Sequence, residues 1–284
     1  MNYIAQNPKT AALFSFMEEA KLDTFAALPI EECVWDEQKA KRVKLTFSPQ
    51  SAFVFLIPYY VEAGENLSAY ATGEDYHLFA EALGEKLCAL LSSLFPEEGF
   101  RFFCDKSPID ERRAAAKAGL GVFGDNGLLI SHTYGSFVFI GEVLSTLPAA
   151  AFGCETVKAI EGCLHCGACK KACPTACLLD WSRPCLSALT QKKGELSEEE
   201  IEIIAKNGTV WGCDKCQNVC PMNRKNGEIP KTPIPFFHKN RVNRITEDLL
   251  SRISDEDFCR RAFSWRGKAP LLRNLAILGH KTEK

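Results

Sequence analysis

The sequence predicts an α+β protein with a ferredoxin-like iron–sulfur domain and a helical C-terminal segment. Helix and strand patterns mix without regular βαβ spacing over roughly the first half of the chain. Ten of the 14 cysteines then fall between Cys154 and Cys220, and helical patterns return after them. We therefore expect three regions, which are an α+β domain at 1–150, a double-cluster domain at 151–225, and a basic connecting arm with C-terminal helices at 226–284.

Composition limits the class of protein. A chain of 284 residues with 46% hydrophobic residues is typical of a globular protein and excludes general disorder. Its longest apolar run, at 52–61, is interrupted by Pro58 and is far shorter than the roughly 18 residues that span a bilayer. The N-terminus MNYIAQNPKT has no signal-peptide pattern. We expect a soluble, cytoplasmic monomer with no membrane partner.

The first elements follow from hydrophobic spacing. Apolar residues at helical intervals predict a first helix within 11–28, which Pro29 would end. The apolar stretch AFVFLIP at 52–58 predicts a buried strand, and the pattern at 74–95 predicts a long amphipathic helix. A second strand is expected at 100–104.

Proline and glycine indicate where the next elements begin and end. Pro108 suits the start of a helix that Gly119 would end, and strands are expected at 127–131 and 136–144. Beyond the cysteines, Ser197 and Glu200 form a capping box for a helix that stops at Gly208. Three further segments are an irregular connecting arm at 223–237 and helices at 255–263 and 270–278.

Charge is distributed unevenly along the chain. The segment 221–284 holds 14 Lys and Arg against seven Asp and Glu, a balance of +7, while the rest of the chain carries −9. A basic segment on a nearly neutral protein suits a polyanionic partner. An ordinary solvated surface is the alternative interpretation.

The cysteine spacing indicates two [4Fe–4S] clusters. Cys163, Cys166, Cys169 and Cys173, followed by proline, spell C-x₂-C-x₂-C-x₃-C-P, in which the fourth thiolate ligates the other cluster. The run at 213–220 reads C-x₂-C-x₃-C-P and needs one outside cysteine. Zinc is the minority alternative, because C-x₂-C pairs also bind zinc.

We assign the ligands by this crossing rule. The first cluster takes Cys163, Cys166, Cys169 and Cys220, and the second takes Cys173, Cys185, Cys213 and Cys216. Cys185 is preferred to Cys177, which lies one helical turn from Cys173 and could reach the same cluster only with difficulty. The other cysteines have no ligand spacing, and most are expected to be buried apolar residues: Cys33, Cys88, Cys104, Cys154 and Cys259.

Two clusters form a path for electrons, so the N-terminal domain should hold the cofactor or substrate chemistry. It contains G-x-G-x-x-G at 119–124, but this follows a predicted helix and not a strand, which argues against a dinucleotide-binding loop. The glycines from Gly119 to Gly135 indicate either close approach of the backbone to a large flat group or tight turns.

Five stretches and the cysteine run together resemble one family, the epoxyqueuosine reductases. The stretches are GEDYH at 73–77, CDKSPIDER at 104–112, AGLGVFGDN at 118–126, GSFVFIGEVL at 135–144 and LRNLAILGH at 272–280. The resemblance implies base-off cobalamin in an N-terminal domain related to that of reductive dehalogenases, beside two [4Fe–4S] clusters. It further implies reduction of epoxyqueuosine to queuosine in tRNA, with electrons from a reductant still to be identified.

The resemblance also assigns roles to single residues. Asp105 matches the family's active-site aspartate, the proposed proton donor, and C–O cleavage does require an acid near the leaving oxygen. The alternative is that Asp105 and Ser107 cap the helix that follows them. Cys185 aligns with the family's isolated cluster ligand. Four residues are expected to contact cobalamin: Gly121, Asn126, Gly135 and Ser136.

The chain departs from the family pattern at three positions. Val122, Asp125 and Glu74 stand where members usually carry Trp, Lys and Arg, so contacts to phosphate or ribose are expected to differ. The sequence also resembles a short form without the helical-repeat extension of longer members. Two alternatives stay open, namely a corrinoid reductase of a small molecule, similar to a reductive dehalogenase, and a non-enzymatic ferredoxin-like electron-transfer protein.

Overall fold

The computed structural model describes residues 7–154 and 162–279. The chain forms two structural units, each described here by itself. Unit 1 comprises Met1–Tyr59 and Phe79–Leu164, and unit 2 comprises Tyr60–Leu78 and His165–Lys284. The three sequence domains remain predictions. The structural division differs from them most at 60–78, a segment inside the expected first domain that belongs to unit 2.

Unit 1 is built around a four-stranded antiparallel sheet of order β1-β2-β6-β3 and a two-stranded hairpin, β4-β5. Its elements are, in chain order, α1 (Pro8–Glu19), β1 (Phe25–Pro29), α2 (Glu37–Ala40), β2 (Ser51–Pro58), α3 (Tyr76–Leu94, in this unit from Phe79), β3 (Phe100–Cys104), α4 (Glu111–Lys117), β4 (Gly121–Phe123), β5 (Leu129–Ser131) and β6 (Val138–Ser145).

Both faces of this sheet are covered. All eight residues of β2 are buried, which explains its continuous apolar sequence. Val54 and its alternate neighbours pack against the alanines of α4 in one core cluster. On the other face Phe53 stacks on Phe152 with ring centroids 5.1 Å apart. A helix side chain at Gly84 of α3 would collide with the ring of Phe102, so the glycine allows close packing there.

The predicted first helix is wrong in its second half. Helix α1 ends at Glu19, and the backbone turns through Lys21, whose φ is +62°. Residues 25–29 then form β1, which pairs with β2. The apolar run in β1 is buried as a strand. A short buried strand shows no alternation of polar and apolar residues, so its hydrophobic pattern cannot be distinguished from a continuation of the preceding helix.

Two other boundaries in unit 1 differ from the prediction. Helix α4 begins at Glu111 and not at Pro108, because Ser107 and Pro108 belong to the turn before it. The glycine-rich stretch contains strand β4, which the sequence did not indicate, and its partner β5 covers only the end of the expected strand at 127–131. Strands at 52–58, 100–104 and 136–144 are confirmed within one or two residues at each end.

The described part of unit 2 consists of short helices joined by irregular segments. It contains α5 (Ala168–Ala172), α6 (Leu186–Thr190), α7 (Glu198–Asn207), α8 (Lys215–Asn218), α9 (Glu247–Arg252), α10 (Asp255–Cys259) and α11 (Lys268–Gly279). The Ser197 capping box and the Gly208 stop of α7 are confirmed. The expected helix at 255–263 is shorter, since α10 ends at Cys259, and α9 was not predicted.

Buried amides fasten the irregular parts of unit 2. Asn66 donates to the carbonyl of Ile245 at 2.8 Å and accepts from its N–H at 2.9 Å. Asn274 of α11 donates to the carbonyls of Thr190 and Val210 at 2.8 and 2.9 Å. The described helices include none that is both long and apolar enough to cross a membrane. The arm at 223–237 is irregular, as expected, and buries Ile234.

Candidate functional site

The two cysteine runs meet through two short helices of unit 2. Helix α5 carries Cys169 and packs against α8, which carries Cys216. Asp214, just before α8, accepts a hydrogen bond from the N–H of Ala69 at 2.6 Å and another from the Ser68 hydroxyl. These bonds fix the start of the second run, so that thiols distant in the chain lie in one cluster.

The thiols in this cluster influence one another electrostatically. Burial, together with the neighbouring thiolates of Cys213, Cys185 and Cys173, raises the pKa of Cys216 to about 12. Burial likewise raises the pKa of Cys213 to about 11, with a contribution from Cys185. Such a group of thiols is costly to ionise without a cation, whereas a metal cluster stabilises the thiolates. The donor set therefore fits iron–sulfur ligation.

Cys177 contacts Cys173 directly, with the two sulfur atoms 3.5 Å apart. A [4Fe–4S] cluster takes four cysteines for four irons, so two ligating sulfurs belong on different irons and not in contact with each other. This geometry favours only one of the two as a ligand. Cys185 raises the pKa of Cys177, Cys213 and Cys216, which places its thiol among them. The assignment of Cys185 as the eighth ligand stays a prediction, now with support from this arrangement.

The remaining ligand assignments depend on the motif. Cys169 and Cys220 are buried, Cys163 is half-buried and Cys166 is exposed. Of the five cysteines without ligand spacing, Cys33, Cys104 and Cys154 are buried, as expected for most of them. Cys88 is half-buried and Cys259 is exposed.

Asp105 lies in the loop of unit 1 between β3 and α4, residues 105–110, which we call the Asp105 loop. It directly follows β3 and has a φ of +65°, in the left-handed region that few residues other than glycine adopt. The ammonium of Lys39 donates to its carbonyl at 3.1 Å, and its N–H donates to Glu111 Oε2 at 3.1 Å. Two side chains on different helices thus bind both backbone groups of this residue.

The interpretation of Asp105 as a helix cap is wrong. Asp110 is the N-cap of α4, and its Oδ1 accepts from the N–H of Arg113 at 3.2 Å. Ser107 does not cap the helix either, since its hydroxyl accepts from the N–H of Ile109 and donates to Glu142. The Asp105 side chain is exposed. The carboxyl that burial desolvates is that of Glu111, the first residue of α4.

Glu142 is a fully buried carboxyl in the central strand β6, between Val54 of β2 and Phe103 of β3. Burial raises its pKa well above the ordinary value, the hydrogen bond from Ser107 opposes that shift, and the charge of Glu111 adds to it. Its Oε2 has no hydrogen-bond partner among the described residues. The interior of the sheet therefore favours the protonated form of Glu142.

The expected cobalamin contacts lie on the hairpin and the turn after it. A side chain at Gly121 would meet the carbonyl of Ile130 at 2.6 Å, so the hairpin itself requires glycine there. Gly135, at φ +59°, exchanges backbone hydrogen bonds with Ser131 in a tight turn. The hairpin and the turn thus explain why glycine stands at both positions. The contact of these glycines with a cofactor stays a prediction.

Asn126 has the strongest local case for binding a cofactor. Its Oδ1 accepts from the N–H of Leu128 at 3.2 Å, while its buried Nδ2 has no partner among the described residues. An amide donor without a partner suits the amide-bearing edge of a corrin ring. Ser136 is buried beside the same turn. These residues therefore fit the group that the sequence predicts.

The GEDYH stretch lies in unit 2 and is organised by Asp75. Its Oδ1 accepts from the His77 backbone N–H at 3.0 Å and lies 2.8 Å from His77 Nδ1, and the His77 ring stacks on Tyr76. Glu74, where the family carries arginine, accepts from Arg260 Nε at 2.7 Å. The reversed charge at this position is therefore neutralised within unit 2.

Three charged residues on elements around the Asp105 loop were not found from the sequence. Lys39 lies 66 positions before Asp105, and only the fold brings the two together. Glu111 was read simply as a helix-favouring charge, although its place in the CDKSPIDER stretch was a signal. Glu142 interrupts an otherwise apolar strand, and this was the sequence signal for a special buried carboxyl.

Comparison with known proteins supports the cluster assignment and the fold. Residues 162–223 match the family model described as a 4Fe-4S double cluster binding domain, which confirms the prediction of two [4Fe–4S] clusters. The chain is 35% identical over 216 residues to epoxyqueuosine reductase of Listeria monocytogenes, covering 72% of this chain and 54% of the relative. It is 38% identical over 226 residues to the Shewanella oneidensis protein of that name, covering 74% and 55%.

Solved structures agree with these relatives. An epoxyqueuosine reductase bound to an epoxyqueuosine-modified tRNA-Tyr stem loop matches with a TM-score of 0.75 and 22% identity, covering 94% of this chain and 80% of that one. The catabolic reductive dehalogenase NpRdhA matches with a TM-score of 0.50 and 15% identity, covering 96% and 36%. The resemblance and the fold class are thus confirmed, and the chain spans about half the length of the curated relatives.

Proposed function

We propose that this relative of the epoxyqueuosine reductases is itself a cobalamin- and iron–sulfur-dependent reductase that converts epoxyqueuosine to queuosine in tRNA. The observation that carries the proposal is the 35–38% identity to proteins of that name over almost three quarters of the chain. A fold match over 94% of the chain adds that the likeness extends to both structural units.

The reaction defines what the chain must supply. Reducing the epoxide to the alkene consumes two electrons and two protons and releases the oxygen as water. The cluster cysteines hold the groups that deliver electrons, and the eight proposed ligands are Cys163, Cys166, Cys169, Cys173, Cys185, Cys213, Cys216 and Cys220. Cobalamin, when bound, supplies a reducing metal centre for breaking the C–O bonds.

Residues of unit 1 hold the cofactor and the proton in this proposal. Asn126 would bind the corrin edge through its amide N–H₂, which has no partner among the described residues, and Ser136, Gly121 and Gly135 lie on the same hairpin and turn. Asp105 donates a proton from its carboxyl to the oxygen as it leaves. Its side chain is exposed, on a loop whose backbone is bound on both sides.

The tRNA partner is supported by charge as well as by the relatives. The segment 221–284 carries +7, but several of its cations are neutralised within unit 2, including Arg260 by Glu74 and Arg241 by Glu62. Arg224 and Lys225 remain exposed and are not in any described ion pair with an acid. We propose that they contact phosphates, that the protein acts in the cytoplasm as a monomer, and that a separate reductant supplies electrons.

The direct test is single-turnover reduction. Anaerobically purified protein is reconstituted with cobalamin, reduced chemically and mixed with tRNA that contains epoxyqueuosine, and the nucleosides are then measured by mass spectrometry. We expect queuosine to replace epoxyqueuosine. Protein that holds both clusters and a corrinoid but leaves the epoxide intact would contradict the proposed substrate.

A small-molecule reductase is the second candidate, favoured by the dehalogenase fold match and by the neutralised Glu74 position. Filter binding with tRNA at several salt concentrations separates the two, because phosphate contacts make affinity fall steeply with salt. Absence of salt-dependent tRNA binding would favour the small molecule. Absence of a corrinoid spectrum after reconstitution would favour a plain electron-transfer protein over both.

A further inference from the structure

The backbone of Asp105 is bound from two sides by charged side chains that do not cap their own helices. Lys39 on α2 donates to the carbonyl, and Glu111 on α4 accepts from the N–H, each at 3.1 Å. Asp36 already caps α2 and Asp110 already caps α4. The two charged side chains are therefore not engaged as N-caps of their own helices.

The conformation of Asp105 explains why such contacts matter. A residue other than glycine at φ +65° is held in a sparsely populated region, and its surroundings must maintain it. Hydrogen bonds in which one partner is charged are about twice as strong as neutral ones. Lys39 and Glu111 each supply one such bond, to the two peptide units that flank the Asp105 side chain.

We propose that Lys39 and Glu111 are positioning residues that lock the Asp105 peptide and so hold its carboxyl at the reacting atoms. We call these two side chains the Asp105 clamp. The proposal rests on the proposed function, because the step that the clamp serves is proton donation during that reduction.

The clamp should respond to pH. Burial and the charge of Asp105 raise the pKa of Glu111 to about 7, against the opposing charges of Lys39 and Arg112. The charge of Glu111 in turn raises the pKa of Glu142 in β6. Below that pH Glu111 becomes neutral and accepts a weaker hydrogen bond. The Asp105 loop should therefore loosen as the pH falls through about 7.

The first experiment measures the loop without any turnover. Hydrogen–deuterium exchange of a peptide covering 100–110 is followed in the reconstituted holoprotein. Glu111→Ala and Lys39→Met should lower protection about tenfold or more, whereas Glu111→Gln keeps an acceptor oxygen and should lower it less. Glu37→Ala is the matched control, since Glu37 is the first residue of α2 as Glu111 is of α4. Unchanged protection in Glu111→Ala would overturn the clamp.

The second experiment connects the clamp to the reaction. Single-turnover rates are measured across about pH 6 to 8 for wild type, Glu111→Gln and Glu37→Ala. The rates of wild type and Glu37→Ala should both fall as the pH drops below about 7, whereas the rate of Glu111→Gln should not show this fall. Glu111→Ala should lose up to about 100-fold in rate, as expected for a misplaced catalytic group. A loosened loop with wild-type rates would refute the positioning role. Inactivity of wild type itself would instead refute the proposed function, and the exchange data would still decide whether the clamp exists.

Discussion

The cluster cysteines and the Asp105 loop of unit 1 encode their chemistry in different ways. The cluster ligands fall within 163–220, and their spacing alone indicates what they bind. The Asp105 loop instead combines Lys39, Asp105, Glu111 and Glu142 from four separate elements. The difference shows that a metal site held by short loops is readable from spacing, whereas an acid–base site depends on how distant elements pack.

The largest expected effect tests the Asp105 loop. Asp105→Asn removes the acidic proton but keeps the shape, and asparagine tolerates the left-handed conformation as aspartate does. Loss of a general acid typically lowers the rate by about 10²–10⁴-fold. We expect single-turnover reduction to collapse by that factor while the iron–sulfur absorbance and corrinoid binding remain.

Asp110→Asn is the matched control for this change. Asparagine is also a good N-cap, so α4 should be retained. Near-normal turnover in Asp105→Asn would defeat the assignment, and the proton would then have to come from Asp110, Tyr76, His77 or solvent.

The second prediction tests the cysteine cluster, where replacing one ligating sulfur by the oxygen of serine should disrupt a cluster. Wild-type protein purified anaerobically should hold about eight iron and eight sulfide per chain. Cys185→Ser should lose or degrade one cluster and bring iron towards about four, while Cys177→Ser should leave both intact. Chemical iron analysis with electron paramagnetic resonance of the reduced protein distinguishes the variants.

Cys177 serves as the internal control because it is buried in the same cluster and touches Cys173. If its replacement were the damaging one, the eighth ligand would be Cys177, and Cys185 would be an exposed residue at the start of α6.

The sequence was informative where residues act locally. The Ser197 capping box, strand β2 and the cysteine runs depend on neighbours a few positions away, and they were predicted correctly. The helix expected at 11–28 failed because β1 is buried without polar alternation. Glu111 and Lys39 were missed because their roles arise from one hydrogen bond each to a distant backbone group.

The third prediction concerns the basic segment. Arg224 also donates to the carbonyls of Gly227 and Asn218, so its loss changes a turn as well as a charge, and Lys225→Ala is the cleaner variant. Each lost phosphate contact should reduce the slope of log affinity against log salt by about 0.7–0.9. We expect weaker tRNA binding with a flatter salt dependence in Lys225→Ala and in the double change with Arg224→Ala. Arg252→Ala, whose charge is already paired with Asp248, should bind as wild type does.

Glu142 extends the comparison to stability. This buried carboxyl makes the free energy of unfolding depend on pH, which an exposed acid would not do. Its pKa lies well above the ordinary value of 4.5, mainly through burial. Above about pH 4.5 the unfolded chain releases a proton that the folded chain keeps, so the folded state binds more protons there. The carboxyl therefore destabilises the fold progressively as pH rises towards its folded pKa.

Glu142→Gln should remove this penalty and produce the smallest of the predicted effects. Glutamine resembles the protonated acid in shape and can still accept the hydrogen bond from Ser107. The variant should match wild type in apparent Tm near pH 5 and exceed it near pH 8, since one pKa unit corresponds to about 1.4 kcal/mol. Thermal unfolding of the two proteins at both pH values, with Glu37→Gln as an exposed control, measures the difference. A Tm gap that stays constant with pH would mean that Glu142 is ionised inside the sheet, and the account of a neutral buried acid would be wrong.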